Sequence, residues 1–226
     1  MKASAALANL EAYECWAQTY PPVPHNPLMR VEQKAMLESW PDVTAARALD
    51  LACGSGRYSA VLTQRGAACV IGVDYSLAML QQARTGTRVR ADMMALPFAA
   101  SAFDVVVCGL AVGHAPQLPA WMQEVARVMK PGGVLLYSDF HPDAAAAGME
   151  RSFTDASQRK HTLLHRQYDL PAHRAAAAAA GLELEVAREA RVGVDLCEEF
   201  KGSQAFYSRW RGLPIVLVIR ARKLPS

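Results

Sequence analysis

At 226 residues with a net charge of +3, the chain is long enough for one domain with a full hydrophobic core, and too weakly charged to mark a nucleic-acid partner. No stretch approaches the ~20 apolar residues of a membrane span. The short apolar start is followed at once by Glu11 and Glu14, so it is read as something other than an export signal. Five cysteines, at positions 15, 53, 69, 108 and 197, form no Cys-x-x-Cys pair and no Cys/His cluster. That usage suits small apolar side chains in a reducing, cytoplasmic setting, with no metal expected.

Residues 1–18 read as an amphipathic helix with Leu7, Leu10, Tyr13 or Glu14, and Trp16 near one stripe. Pro21, Pro22, Pro24 and Pro27 then forbid a helix and impose a stiff, extended segment. A second helix is expected over about 28–39, ending before Pro41. From Arg47 onward, strand-like and helix-like runs alternate, which argues a parallel sheet flanked by helices. Strands are expected near 47–51, 69–73, 87–91, 104–110 and 133–138. The runs Val105-Val106-Val107-Cys108 and Val134-Leu135-Leu136 suit strands buried on both faces. Ser76 can cap a helix running to about Arg84, and a helix over 117–129 is expected to stop at the turn Lys130-Pro131-Gly132-Gly133. Residues 139–170, rich in His, Arg and Lys, read as a cap rather than sheet core. Pro171 starts an alanine-rich helix closed by Gly181, and 182–190 and 214–222 are again strand-like. No internal repeat or linker marks a second domain.

The chemistry concentrates at Asp50-Leu51-Ala52-Cys53-Gly54-Ser55-Gly56, between the first strand and the helix after it. A strand, a glycine turn and a helix leave backbone N–H groups pointing above the strand's carboxyl end. Gly54 and Gly56 carry no Cβ, so a ligand can approach the backbone there. Eighteen residues after Gly56, Asp74 ends the second strand, where a carboxylate can hold a ribose with two free hydroxyls.

The Asp50–Gly56 stretch resembles motif I of the class I S-adenosylmethionine-dependent methyltransferases, usually Asp-Leu-Gly-Cys-Gly-x-Gly. Gly72-Val73-Asp74-Tyr75-Ser76, Arg90-Ala91-Asp92-Met93, Phe103-Asp104-Val105-Val106-Val107 and Val128-Met129-Lys130-Pro131-Gly132-Gly133 follow in the order expected of that family. Together the motifs cover about residues 47–140. Ala52 departs from the pattern, which most often has glycine, and a positive φ there would strain alanine by roughly 1 kcal/mol or more.

The resemblance implies an α/β, Rossmann-like seven-stranded sheet of order 3-2-1-4-5-7-6, with the seventh strand antiparallel, helices on both faces and a small helical cap. It implies a single domain over 1–226, with 1–46 as an N-terminal lid and 139–170 as a cap insertion. The cofactor implied is S-adenosylmethionine, leaving S-adenosylhomocysteine, and the partner is a small-molecule acceptor; the basic residues of the cap would suit an anionic one. For cofactor binding the resemblance singles out Asp74 for the ribose, and Asp92 with Met93 for the adenine. Asp50 and the backbone at Ala52 and Gly54 face the methionine amino group, and Ser55 and Gly56 complete the turn. Tyr75, Met79 and Leu110 flank the adenine and ribose, and Tyr20 belongs to the lid. Tyr75, Met79 and Leu110 are equally explicable as core, and Tyr20 and His25 as packing of the lid.

His114 and His141, just beyond the fourth and fifth strands, are candidate bases, because an α/β sheet builds its site at those carboxyl ends. His141 is slightly favoured, since Asp139 could orient it and Pro142 stiffens its backbone. His165 and Tyr168 could reach substrate from the cap. Two rival readings remain. An NAD-dependent oxidoreductase also uses a glycine turn, although Ser59 stands where its third glycine belongs. A non-methylating binder of S-adenosylmethionine is the other, because fold does not fix chemistry.

Overall fold

The computed structural model describes residues 2–84, 86–199 and 201–225, without the side chains of residues 2–8 and 199, so Leu7 of the expected stripe lies outside the described residues. In chain order the helices are α1 (Lys2–Trp16), α2 (Pro27–Glu38), α3 (Arg57–Gln64), α4 (Leu77–Gln82), α5 (Leu118–Val128), α6 (Pro142–Ala146), α7 (Leu170–Ala179), α8 (Asp195–Glu199) and α9 (Gln204–Trp210). The strands are β1 (Arg47–Leu51), β2 (Cys69–Asp74), β3 (Thr87–Arg90), β4 (Phe103–Cys108), β5 (Met129–Phe140), β6 (Ser152–Thr154), β7 (Lys160–Thr162), β8 (Leu182–Arg191) and β9 (Pro214–Lys223). Seven strands form one sheet in the order β3-β2-β1-β4-β5-β9-β8. The first five run parallel, and β9 is antiparallel to both neighbours. Counting only strands of this sheet, the order is 3-2-1-4-5-7-6, as expected. No helix among the described residues is long and apolar enough to cross a membrane.

Alternation along each strand divides the core between the two faces of the sheet. Leu49, Val106, Leu135 and Ile219 pack with α5 and α7, while Ala48, Val105, Leu136 and Val218 pack with α2 and α3. Helix α5 shows why such helices form: Leu118, Trp121, Met122, Val125 and Ala126 recur at helical spacing and are all buried. Caps sit where the side chains allow them. Asn26, Ser76 and Asp169 each accept a backbone N–H at the start of a helix.

Several boundaries differ from the sequence reading. Strand β5 begins at Met129, already paired with Phe103, and the Lys130–Gly133 turn lies inside it as an irregularity between Phe103 and Val105. Strand β4 stops at Cys108, short of the expected residue 110, because Leu110 turns to φ 53°. Helix α1 ends at Trp16 and α4 at Gln82, and α8 and α9 were not anticipated. The cap, expected to be helical, holds only the five-residue α6 and a small antiparallel hairpin of β6 and β7. That hairpin meets α1 through an aromatic stack. Trp16 lies 4.4 Å from Phe153, and Phe153 lies 4.9 Å from His161, both nearly parallel.

The motif turn carries measurable strain. Ala52 has φ 54°, the left-handed region that its Cβ disfavours. Ala52→Gly therefore relieves about 1–2 kcal/mol of backbone strain and gives back about 0.4–1 kcal/mol in unfolded-state entropy. The expected net result is a melting temperature raised by about 1–3 °C, checked by calorimetry on the two proteins.

Candidate active site

The carboxyl ends of the parallel strands open into one cavity of about 440 Å³, roofed by α1, the segment before α2, and the start of the cap hairpin. Of the residues expected to bind a cofactor, Asp50, Ala52, Gly54, Ser55, Asp74, Tyr75, Met79, Asp92, Met93, Leu110 and Tyr20 all line it. Gly56 does not. It is the N-cap of α3 at φ 84°, and its N–H donates to the Cys53 carbonyl at 2.9 Å, so its part is to shape the turn.

The turn is held from across the sheet. Asp74 Oδ2 accepts the Gly54 N–H at 2.8 Å, and Oδ1 accepts the Ser76 N–H at 2.9 Å. Each oxygen keeps a further lone pair for a hydroxyl donor. Burial raises the Asp74 carboxyl above its usual range, although its backbone hydrogen bonds oppose this. Asp50 is almost fully buried and accepts the Ser59 hydroxyl at 2.7 Å. Burial outweighs that hydrogen bond and pushes Asp50 up to about 7. A Cβ on Gly54 would meet nothing within 4 Å, so the backbone there borders open space. Two carboxylates and an open glycine turn face one apolar-walled cavity, and these residues fit a nucleoside carrying an ammonium group. Asp92 is exposed at the rim and accepts the Met94 N–H at 2.9 Å, while Tyr75 is 48% exposed. Tyr20 lines the cavity and also packs edge-on against Trp16 and His25.

The histidines divide differently from expectation. His114 lines the cavity. Its Nε2 lies 2.9 Å from the Tyr13 hydroxyl, and its Nδ1 lies 3.1 Å from the Leu164 carbonyl and 3.0 Å from the Asn9 amide. Burial first, then the positive charge of Arg151, holds His114 well below the ordinary histidine range, so the ring is neutral at pH 7. Tyr13 stays protonated because burial raises it. Both ring nitrogens are thus engaged by neighbouring polar groups.

His141, the favoured candidate, is absent from the cavity wall. It is 6% exposed, caps α6 by accepting the Asp143 N–H at 3.1 Å, and turns Nε2 toward Glu189 at 3.6 Å. Its expected partner Asp139 is engaged elsewhere, facing His165 at 3.2 Å and His173 at 3.5 Å and accepting the Gly113 N–H at 3.2 Å. The reason is strand alternation: neighbours two apart share a face only while the strand continues, and β5 ends at Phe140. His165 and Tyr168 also stay off the wall. The His165 ring occupies the space a Cβ on Gly113 would need, and the Tyr168 hydroxyl donates to the Ala115 carbonyl at 2.9 Å.

Sequence reasoning missed Glu32, Arg57 and Arg151. Glu32 is fully buried in α2, with Arg57 Nη2 at 2.8 Å, the Tyr58 hydroxyl at 2.8 Å and the Ser138 hydroxyl at 2.7 Å. Arg57 lines the cavity; burial opposes its charge, but Glu32 more than reverses this, so it stays cationic. The Ser138 hydroxyl also accepts the Leu110 N–H at 2.8 Å, and Arg151 donates to the Leu110 carbonyl at 2.7 Å. An ionisable residue inside an amphipathic helix was the available signal for Glu32, but its partners are 25 and more residues away in sequence. Removing the Glu32 charge leaves Arg57 buried without compensation. Glu32→Gln is expected to cost about 3–5 kcal/mol in urea unfolding, whereas the double change Glu32→Met with Arg57→Met costs clearly less.

Comparison with known proteins agrees with this geometry. Residues 49–137 match the family described as "Methyltransferase domain". The chain is 36% identical over 124 residues to a malonyl-[acyl-carrier protein] O-methyltransferase of Enterobacter lignolyticus, covering 53% of this chain and 49% of that one. It is 34% identical over 121 residues to a 2-phytyl-1,4-naphtoquinone methyltransferase of Nostoc punctiforme, covering 48% and 53%. The chain thus spans about half the length of the curated relatives it matches. A solved S-adenosylmethionine-dependent methyltransferase from Mesorhizobium loti superposes with TM-score 0.68 at 25% identity, over 85% of this chain and 98% of that one. Residues 49–137 thus match a methyltransferase domain, and the strand order, the glycine turn braced by Asp74 and these similarities support a class I S-adenosylmethionine-dependent methyltransferase.

Proposed function

We propose that the protein transfers a methyl group from S-adenosylmethionine to a small organic acceptor, and that 1–226 act as one domain, with 1–46 as lid and 139–170 as cap. The observation that carries this reading is the pair of carboxylates, buried Asp50 and half-buried Asp74, beside the open backbone of Gly54 in a single cavity. When bound, the cofactor supplies a sulfonium methyl whose leaving group is already good. Asp74 receives the ribose hydroxyls while holding the turn, Asp50 faces the ammonium group, and Asp92 with the Met93 backbone receives the adenine. Leu28, Met29, Trp16 and Tyr20 exclude water from the roof. The chain's main contribution is positioning. A neutral His114, with both ring nitrogens engaged, orients the wall near the acceptor, and His141, turned away, takes no part in transfer. The acceptors in the relatives' names differ chemically, one carried on an acyl-carrier protein and the other a quinone, so the shared expectation is a small organic group, free or carrier-linked.

Titration calorimetry is expected to show S-adenosylhomocysteine binding and none for NAD. NAD binding without the sulfur cofactor overturns the proposal. Asp74→Ala loses charge-assisted hydrogen bonds worth roughly 1.5–3 kcal/mol, about ten- to hundredfold in affinity. An unchanged dissociation constant in the folded variant would place the ribose elsewhere.

The raised Asp50 also sets a pH dependence. Only its ionised form pairs with an ammonium group, so cofactor affinity is expected to rise as pH climbs through about 7 and then level off. The free protein behaves in the opposite sense. A carboxyl whose folded value lies above the ordinary 3.8 stabilises the fold below 3.8, and that contribution fades as pH rises toward about 7. Asp50→Asn should flatten both profiles, measured as dissociation constant and melting temperature from below the ordinary carboxyl value of 3.8 to above about 7.

A further inference from the structure

Two arginines line the cavity, and they differ in one respect. The charge of Arg57 is answered by Glu32 at 2.8 Å. Arg151 makes no ion pair with any carboxylate among the described residues, although its side chain is partly buried. It donates one N–H to the Leu110 carbonyl at 2.7 Å, and the Tyr13 hydroxyl lies within reach of its charge. A guanidinium carries five N–H donors, so a fork of donors remains for a ligand. The neighbouring carboxylate that also lines the cavity, Glu150, is exposed and taken by Lys160 at 2.9 Å. Asp139 is screened behind His165 at 3.2 Å. A cation held in such a setting without a counter-ion is costly unless something brings one.

Its place in the fold separates it from the cofactor residues. Asp50, Gly54, Asp74 and Asp92 come from the tips of β1, β2 and β3, on one half of the sheet edge. Arg151 stands between α6 and β6, fixed to the loop after β4, on the other half. Tyr13 and the neutral ring of His114 lie near it, and Trp16, Met149 and Leu163 add apolar surface to the same cavity. We propose that Arg151, with Tyr13 beside it, is the anchor for a carboxylate on the acceptor, so that the substrate is a small organic acid with an apolar body. A planar carboxylate matches the arginine fork with two parallel hydrogen bonds, and the aromatic and aliphatic wall receives the body. This rests on the cofactor taking the Asp50–Asp74 half of the cavity.

Octanoate, octanamide and octyl phosphate are suitable probes, titrated by calorimetry into the protein saturated with S-adenosylhomocysteine. Octanoate is expected to bind at least tenfold more tightly than octanamide, and Arg151→Met to abolish the difference while S-adenosylhomocysteine affinity stays within about twofold. Arg151→Lys keeps the charge without the fork, and should retain part of the preference. It also serves if the methionine variant loses its fold with the Leu110 contact. Equal affinity for octanoate and octanamide, or a preference that survives in folded Arg151→Met, overturns the proposal. Tighter binding of octyl phosphate than of octanoate overturns the carboxylate assignment. If S-adenosylhomocysteine itself fails to bind, the methyl-transfer reading falls, and the same comparison on the cofactor-free protein still decides the role of Arg151.

Discussion

One fully buried carboxylate ties the parts of this site together. Glu32 belongs to α2, in the expected lid, yet its oxygens receive Arg57 and Tyr58 from α3 and Ser138 from β5. Through Ser138 the same network reaches the Leu110 backbone, beyond β4. The lid segment, the helix after the glycine turn and the loops beside the cavity therefore share one set of charge-assisted bonds. In a medium of low polarity such a network is stable only when each member is satisfied, which makes the relative placement of these elements specific. The close approach is visible at Gly109, where a Cβ would come within 2.5 Å of the Tyr58 ring.

A second constraint acts on the backbone. Ala52 and Leu110, at the ends of neighbouring strands β1 and β4, both hold positive φ. Each is pinned within a network of hydrogen bonds: the turn after Ala52 by Asp74, and Leu110 by Ser138 on its N–H and Arg151 on its carbonyl. Non-glycine residues in this region persist where the surroundings over-determine them, and both border the cavity. The strain turns the chain sharply at the carboxyl edge, clearing the space in which a ligand can lie above the strands.

Electrostatics then divides that space. Burial raises two carboxyls, Asp50 and Asp74, on the side of β1 and β2, and a positive charge from Arg151 sits on the side of β4 and the cap. His114 lies near that charge, and with burial it is driven neutral. One half of the cavity is suited to cationic and hydroxyl-bearing groups and the other to an anion. The proposed acceptor class follows from that polarity more than from any single contact.

Much of this protein was legible in its sequence, for local reasons. Alternating apolar runs and glycine stops determined the strands and helices of the sheet, because burial on both faces and the geometry of caps act over a few residues. The motif Asp50–Gly56 and the strand-tip Asp74 located one half of the cavity, since a strand–turn–helix unit places its backbone N–H groups without help from distant residues. The positive φ at Ala52 was foreseeable from the glycine that most often stands there. What lay outside local pattern was decided by packing. Whether His114 or His141 faces the cavity depended on where β5 ends and which partner claimed Asp139, and His165 and His173 claimed it from more than 25 residues away. The hairpin in the cap is set by the stack of Phe153 on Trp16, a contact across the whole site. Glu32 reads on its helix like any charged residue, and only folding brings it to Arg57, Tyr58 and Ser138. Arg151 likewise reads as one more basic residue of the cap, and its lack of a carboxylate partner among the described residues is a property of three-dimensional placement alone.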